Sequence, residues 1–323
     1  MLRSIFLITV FGLLSGPLRA IVVASGDPNS SSVVATYNND VVDGINLSGV
    51  VLIASSFGGC SGSLLAGGSS ILTAGHCVTS GYGSPIATGI TVYFMGDHGL
   101  VAQPVSNVQV DPGYNGNSAN GYDLAVLTLS QPAPSFAVGY SLVTSSLIPP
   151  IPVVLAGYGY GGTGATGANG GTYPFGTLRV GTNQYEGNGQ EFFNWSPQLL
   201  VGQFYDSTTS STNVLGVAHP YSSSNEVDTA PGDSGGPTFY AGKIVGVHDL
   251  GICEGASGVC SVPPSEGSAN NSYFGEMWAD TSVAANLSFI ENAQVPEPAS
   301  CSLVLLGLAA AGFFARRTGR RLS

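Results

Sequence analysis

Short apolar runs separated by turn residues constrain the fold of this chain more than any other feature. The runs are rich in β-branched and aromatic residues and are bounded by Gly, Pro, Ser or Asn, as is typical of short strands joined by tight turns. They read VVLIASSF, GSSILTAGH, ITVYFMG, DLAVLTL, PVVLAGYGY and GKIVGVHDL. With 47 glycines, 19 prolines and only 8% charged residues, the chain offers few exposed helix faces. The sequence therefore predicts an all-β sandwich or barrel.

The length of 323 residues suits one large all-β domain or two smaller barrels that share a core. A glycine-rich stretch at 157–173 is expected to be a mobile loop, and it also fits a linker between two halves. One helix is expected over 279–292, where Val283, Leu287 and Ile290 fall on one face and Asp280 or Thr281 is the cap.

The charge distribution excludes nucleic acid as a partner. All but one of the 19 acidic residues lie between residues 21 and 294, whereas only Arg179 and Lys243 of the eight basic residues do. Binding to phosphates needs clustered Lys and Arg, and the sequence of this region contains no such cluster.

The N-terminus has the composition of a secretory signal. Residues 1–20 contain one Arg, an apolar run too short for a membrane span, and a small residue at the end. We expect signal peptidase to remove this segment. Cleavage after Ala20 exposes Ile21 as the new N-terminus, and cleavage after Ala24 is the alternative.

The C-terminus carries a second targeting segment. Residues 295–323 contain VPEP, then 17 apolar or small residues, then four arginines. The positive-inside rule keeps these arginines cytoplasmic. This order resembles the PEP-CTERM sorting signal of Gram-negative bacteria, which implies export, recognition by an exosortase-type enzyme, and a periplasmic, cell-surface or extracellular location with a transient or retained membrane segment. A plain membrane anchor is the alternative.

The cysteines agree with export. Cys60, Cys77, Cys253 and Cys260 give an even number in the body, and Cys301 lies in the apolar tail. In an oxidising compartment the four are expected to pair, and three pairings are open. Since the chain has neither a CxxC nor an HExxH spacing, we expect no metal.

One serine lies in an unusual setting, TAPGDSGGP, with Ser234 after an aspartate and among glycines. A serine hydroxyl is a weak nucleophile unless a base lies within hydrogen-bond reach and an acid orients that base. Of four histidines, His76 ends an apolar strand beside Cys77. Asp123 opens another apolar strand, where burial is costly without hydrogen-bond donors.

Together, LTAGHC, DLAVLTL and GDSGGP, in that order, resemble the motifs of the trypsin-like (chymotrypsin-fold) serine proteases. The spacings are 47 residues from His76 to Asp123 and 111 from Asp123 to Ser234. The resemblance spans about residues 21–292. It implies two antiparallel six-stranded Greek-key β-barrels, over roughly 21–140 and 141–294, with a short C-terminal helix. The domains are then 1–20, 21–294 and 295–323.

The resemblance implies a role for each matching residue. Ser234 is the nucleophile, His76 the general base and then acid, and Asp123 the group that orients His76. The backbone N–H groups of Gly232 and Ser234 form the oxyanion hole. No cofactor is implied. The family also pairs the carboxylate before the serine with a new N-terminal ammonium, which here assigns Asp233 to Ile21, although IVVAS departs from the usual Ile-Val-Gly-Gly.

The substrate pocket is also implied by the resemblance. Asp228 precedes Ser234 by six residues, where trypsin-like members carry the acid that selects Arg or Lys, and Gly251 fits one wall. The opposite wall falls in SANNSYFGEMWAD, where Trp278 is bulky. Asp249 takes the place of a small hydroxyl residue beside the catalytic aspartate, so either one carboxyl pKa rises or Asp249 turns away.

The family pattern also implies the disulfides. Cys60–Cys77 matches the bridge beside the catalytic histidine. Cys253 lacks its usual partner, because Ala230 occupies that position, so we expect Cys253–Cys260.

The predicted function is that of a secreted or surface-attached serine endopeptidase that acts on proteins or peptides and prefers Arg or Lys at P1. The alternative is a catalytically silent surface or matrix protein that keeps the protease scaffold.

Overall fold

The computed structural model describes residues 21–29, 41–42, 44–96, 99–206, 208–209, 212–217, 226–252 and 272–294. Both predicted targeting segments, 1–20 and 295–323, lie outside these residues, as does the predicted Cys253–Cys260 bridge. No helix among the described residues is long and apolar enough to cross a membrane.

The N-terminal half forms a closed six-stranded barrel. The strands up to residue 129 are β1 (Ile21–Val23), β2 (Val41–Val42), β3 (Ile45–Asn46), β4 (Val50–Ser55), β5 (Gly58–Leu64), β6 (Ser70–Thr73), β7 (Thr91–Gly96), β8 (Gly99–Val110) and β9 (Ala125–Leu129), and the last six of them form the barrel. The barrel order is β4-β5-β6-β9-β8-β7, and every pair in it is antiparallel. Closure removes free strand edges.

The C-terminal half forms a half-barrel. Its strands are β10 (Ile151–Gly157), β11 (Gly161–Thr163), β12 (Gly167–Ala168), β13 (Arg179–Tyr185), β14 (Gly187–Asn188), β15 (Leu199–Gln203), β16 (Val227–Asp228), β17 (Pro237–Tyr240), β18 (Lys243–Ile252) and β19 (Met277–Ser282). Seven of them pair in the order β13-β10-β17-β18-β19-β15-β14. The expected chymotrypsin-like all-β architecture is confirmed, with this half as an open sheet where a second closed barrel was expected.

One apolar core joins the two halves. Val51 and Ile53 of β4 are fully buried inside the closed barrel. The same cluster includes Phe239 of β17 and Ile244 of β18. Tyr140, between the halves, meets Phe239 edge-on with 4.8 Å between ring centres. The two halves therefore pack as one body with the connecting chain between them.

A small separate sheet holds the beginning of the described chain. Its order is β12-β11-β1-β16, and β1 runs parallel to β11 and antiparallel to β16. The segment 157–173 was expected to be a loop, but it contributes β11 and β12 to this sheet. Glycine suits β11 and β12, because the backbones of these paired strands approach one another closely.

The helices are short. They are α1 (Gly189–Phe193), α2 (Leu287–Gln294) and two single 3₁₀ turns, Gly75–Cys77 and Ser118–Asn120. The expected helix start near residue 279 is wrong, because β19 pairs with β15 up to Thr281 and with β18 up to Ser282. Tertiary pairing thus overrides the helical periodicity before residue 287. Of the three residues expected on one helix face, Ile290 is buried and Leu287 partly buried on α2, whereas Val283 is buried before the helix begins.

Candidate active site

His76 and Asp123 meet at one end of the closed barrel. His76 lies on the 3₁₀ turn that follows β6, and Asp123 lies just before β9, which pairs with β6. His76 Nδ1 is 2.7 Å from Asp123 Oδ2, and the His76 backbone N–H donates to Asp123 Oδ1 at 2.7 Å. Ser118 Oγ donates to Oδ2 at 2.6 Å. These donors offset the cost of burying the Asp123 carboxylate.

The two groups also shift each other's protonation. Burial alone would raise the pKa of Asp123, but the charge of His76 and its hydrogen bond lower it below the usual range. Burial disfavours the protonated ring of His76, but Asp123 outweighs this and raises the pKa of His76. The Asp123 side chain is fully buried, while that of His76 is 31% exposed. The pair therefore holds an oriented imidazole at the surface.

Asp249 is a second carboxyl group at this site. A bulge in β18, between His248 and Leu250, places Asp249 opposite no residue of β19. Its oxygens lie within 4.8 Å of the ligand atoms of His76 and Asp123, and Thr281 Oγ1 donates to Asp249 Oδ2 at 2.8 Å. Burial first, and then the charge of Asp123, raise the pKa of Asp249 well above its usual value. The raised pKa therefore favours the protonated form of Asp249 beside the Asp123 carboxylate.

The Cys60–Cys77 disulfide is present and joins the histidine segment to β5. Cys60 lies on β5 and Cys77 follows His76 directly. Cys77 Sγ lies 3.5 Å from the carbonyl oxygen of Ser234, which also accepts a hydrogen bond from the Ser61 N–H at 2.8 Å. The described contacts include no hydrogen bond from Ser234 Oγ to His76. Such bonds are often long before substrate binds.

The Ser234 loop carries two backbone N–H groups that make no hydrogen bond within the described residues. Gly232 has φ +98° and Gly235 has φ +80°, both in the region that favours glycine. Within the described chain, the N–H groups of Gly232 and Ser234 donate no hydrogen bond, whereas the N–H of Asp233 donates to Ala230 and that of Gly235 to His248. Two adjacent free donors beside a partly exposed serine suit a developing negative charge.

Asp233 is fully buried behind this loop. Its Oδ1 accepts from the Gly159 N–H at 2.7 Å and its Oδ2 from the Ala230 N–H at 2.9 Å. Burial raises the pKa of Asp233 to about 6. The charge of His248, these two hydrogen bonds and the charge of Arg179 act in the opposite direction and lower it. Ile21 is also fully buried and pairs with Gly161. The described contacts contain no Ile21–Asp233 ion pair, because Ala20 still precedes Ile21 and makes its nitrogen an amide.

A small cavity of about 10 Å³ opens beside Ser234. Its lining is Thr229, Ala230, Ser234, His248, Asp249 and Leu250. Asp228 and Gly251, the predicted pocket residues, are not part of this lining. Asp228 is 1% exposed, and its Oδ2 has no hydrogen-bond partner within the described part of the chain. Burial, and then the charge of Glu276, raise the pKa of Asp228 well above its usual value. Trp278 is fully buried against Tyr185, with 5.0 Å between ring centres.

Sequence reasoning missed a second buried histidine–aspartate pair. His248 Nδ1 is 3.0 Å from Asp280 Oδ1, and both side chains are buried. The sequence feature that singled out Asp123, a carboxylate within an apolar strand, also applies to Asp280 in the strand MWADTS. The remaining histidines, His98 and His219, lie outside the described residues.

Metal-ligating groups do come together here. His76, Asp123 and Asp249 hold potential ligand atoms within 4.8 Å of one another. However, His76 Nδ1 and Asp123 Oδ2 are joined at a hydrogen-bond distance of 2.7 Å, so a shared proton occupies the space between them. The nearby Cys60 and Cys77 are joined to each other by the disulfide.

Comparison with known proteins gives two family matches. The trypsin family matches residues 46–262, about two thirds of the chain, and the PEP-CTERM protein-sorting motif matches residues 294–321. A search of curated proteins by sequence found no match.

Among solved structures, the chain is similar to neuropsin, described as a serine protease expressed in the limbic system of mouse brain. The TM-score is 0.54 and the identity 15%, over 77% of this chain and 95% of that one. This likeness supports the fold. The sorting motif indicates export in Gram-negative bacteria and processing by an exosortase-type enzyme. The chain belongs to the trypsin family of serine proteases and ends in a PEP-CTERM sorting motif.

Proposed function

We propose that this protein is a secreted or surface-attached endopeptidase that hydrolyses peptide bonds through Ser234, His76 and Asp123. The observation that carries the proposal is the doubly bonded His76–Asp123 pair, whose partly exposed imidazole lies next to the Ser234 loop with its two free N–H groups. A catalytically silent scaffold does not require a buried carboxylate, a basic ring and two free backbone N–H groups to lie close together.

The geometry supports acyl transfer in two steps. Ser234 Oγ attacks the substrate carbonyl carbon and its proton passes to His76 Nε2, while the carbonyl oxygen becomes an anion held by the N–H groups of Gly232 and Ser234. His76 then gives the proton to the leaving amine as the C–N bond breaks. Water repeats the sequence on the acyl-enzyme, which releases the acid and restores Ser234. Asp123 holds the ring and stabilises its cation throughout.

Activation is proposed to follow cleavage after Ala20. The new ammonium of Ile21 would lie at the start of β1, which pairs with β11. Strand β11 begins two residues after Gly159, whose N–H donates to Asp233. An ammonium there would offset the cost of burying the Asp233 carboxylate and hold the Ser234 loop in place. Signal peptidase would then make the active N-terminus without a separate propeptide, and sequencing of the exported protein should begin at Ile21; a start at Ser25 contradicts this.

A preference for Arg or Lys at P1 stays a prediction from the resemblance. It rests on an ionised Asp228 at the floor of the pocket. The buried position of Asp228, outside the cavity beside Ser234, does not supply such a charge.

An organophosphonate probe tests the proposal, because it reacts only with an activated serine. We expect one label per chain on the mature protein, on Ser234, and none on Ser234→Ala, which keeps the fold. His76→Ala should lose the label as well, since the base is gone. Correctly processed protein that takes no label would favour the silent scaffold.

A further inference from the structure

His248 is a titratable residue that lines the cavity beside Ser234 and that the proposed reaction leaves without a role. It is 1% exposed and shares the lining with Ser234, Thr229 and Ala230. A strand position facing a protein core normally carries an apolar residue, because a buried imidazole needs partners for both ring nitrogens.

One of its nitrogens is firmly held. Nδ1 contacts Asp280 Oδ1 at 3.0 Å, and Asp280 Oδ2 accepts from Thr238 Oγ1 and from Tyr185 OH, each at 2.5 Å. Asp280 is thereby fixed by three residues from three different strands. The other nitrogen, Nε2, is buried and makes no hydrogen bond of good geometry with a described residue, although the carbonyl of Ala156 lies near the ring and favours its protonated form.

The surroundings favour a proton on both nitrogens. Burial lowers the pKa of His248, but Asp280 first, and then Asp233 and the carbonyl of Ala156, outweigh it and raise the pKa. The titratable groups that face or adjoin the ring are Asp280 on β19, Tyr185 on β13, Asp233 before β17 and Asp249 on β18. Of these, Asp249 and Tyr185 hold their protons, since the pKa of each is raised well above its usual value.

The size of the cavity limits what enters it. A volume of about 10 Å³ is about that of one water, so it accepts a terminal oxygen more readily than a guanidinium group or an aromatic ring. A cationic imidazole at this position also repels a cationic side chain.

We propose that this cavity reads the P1 side chain and that His248 Nε2 donates to the carboxylate of an acidic P1 residue, so that the enzyme cleaves after Glu or Asp. The inference rests on the proposed function, because it names the substrate class of the same serine. Asp280 is then a positioning residue that holds the ring through Nδ1.

The test compares two peptides that differ only at P1, one with Glu and one with Gln. The ratio of their kcat/KM values cancels effects of His76, Asp123 and Asp249, which act on both peptides alike. We expect wild type to favour Glu by about 10- to 100-fold, the range of one charge-assisted hydrogen bond. His248→Gln should bring the ratio close to one. Lys243→Gln is the matched control, since it replaces a cation by the same amide at the exposed start of the same strand, and it should keep the wild-type ratio.

The pH dependence in wild type keeps the proposal testable if His248→Gln fails to fold. Because the folded pKa of His248 is raised, the Glu preference should be full at lower pH and fall towards one as pH rises through that pKa. The range starts above about pH 5, where the substrate carboxylate is ionised.

Probe labelling separates the two proposals. A labelled enzyme that cleaves after Arg or Lys, or shows a Glu-to-Gln ratio near one at every pH, overturns the acidic specificity and leaves the endopeptidase proposal intact. An enzyme that takes no label overturns both.

Discussion

At the scale of single residues, two aspartates show how this protein buries charge. Asp123 and Asp280 are fully buried, and each contacts a histidine ring and accepts from a hydroxyl. His76 of the first pair is partly exposed, whereas His248 of the second pair is buried and lines the cavity beside Ser234. Carboxylates in apolar strands are stable only with such donors, so both could be recognised from the sequence as functional candidates, although their partners could not.

The backbone at Gly232 sets the direction of a predicted oxyanion donor. A Cβ at this position would lie 2.6 Å from Phe175 Cδ2 and 2.9 Å from the Gly159 Cα, at a φ of +98°. We expect Gly232→Ala to lower kcat by about 10²–10³-fold, because the N–H turns away from the developing charge. Kinetics on a peptide substrate measure this.

Gly242→Ala is the control, since it has a similar φ of +76° but no atom within 4 Å of its Cβ. If both variants keep wild-type kcat, Gly232 does not orient an oxyanion donor.

At the scale of elements, a bulge and a disulfide shape the site. Because of the bulge in β18, two consecutive side chains have different partners: His248 contacts Asp280, and Asp249 lies close to Asp123. Sequence reasoning left open whether Asp249 turns away. The bulge decides this, because it depends on how β18 pairs with β19, and such pairing between distant segments is not readable from local pattern.

The disulfide stabilises the segment that carries His76. It closes a loop with a sequence separation of 17, for which the chain-entropy description gives about 3 kcal/mol. Replacing both Cys60 and Cys77 by Ala should lower the unfolding free energy by about this amount and reduce kcat, as the His76 turn loosens. Urea unfolding followed by circular dichroism measures the change. Cys301→Ser, in the sorting tail, should leave the midpoint unchanged; an equal loss there would mean that the bridge is not the cause.

At the scale of the whole molecule, buried acids set how stability depends on pH. Burial raises the pKa of Glu186 to about 7 and that of Glu226 to about 8, and the pKa of Asp228 is well above its usual value. A raised folded pKa stabilises the protein at low pH, and this stability is lost as pH rises through that pKa. Asp123 acts in the opposite sense, but only below about pH 4, where its carboxylate begins to protonate when unfolded.

We therefore expect the thermal midpoint to fall steadily between about pH 5 and pH 9. Calorimetry on Ser234→Ala, which avoids self-digestion, measures this. Glu226→Gln should flatten the decline, because the amide does not ionise. A midpoint that rises with pH over this range would contradict the expected role of the buried acids.

The all-β class, the sorting tail and the three motifs of the trypsin family could be read from the sequence, and the resemblance to that family implied the disulfide beside His76. These features are local, because strand-like runs, turn residues and short motifs can be recognised without knowing where their segments lie in the fold. The tertiary structure alone decided that β19 replaces the start of the expected helix, that His248 meets Asp280, and that Asp228 lies away from the cavity beside Ser234. Each depends on strand register between segments far apart in the chain, which is set only when the sheets close on one another and bury their shared core.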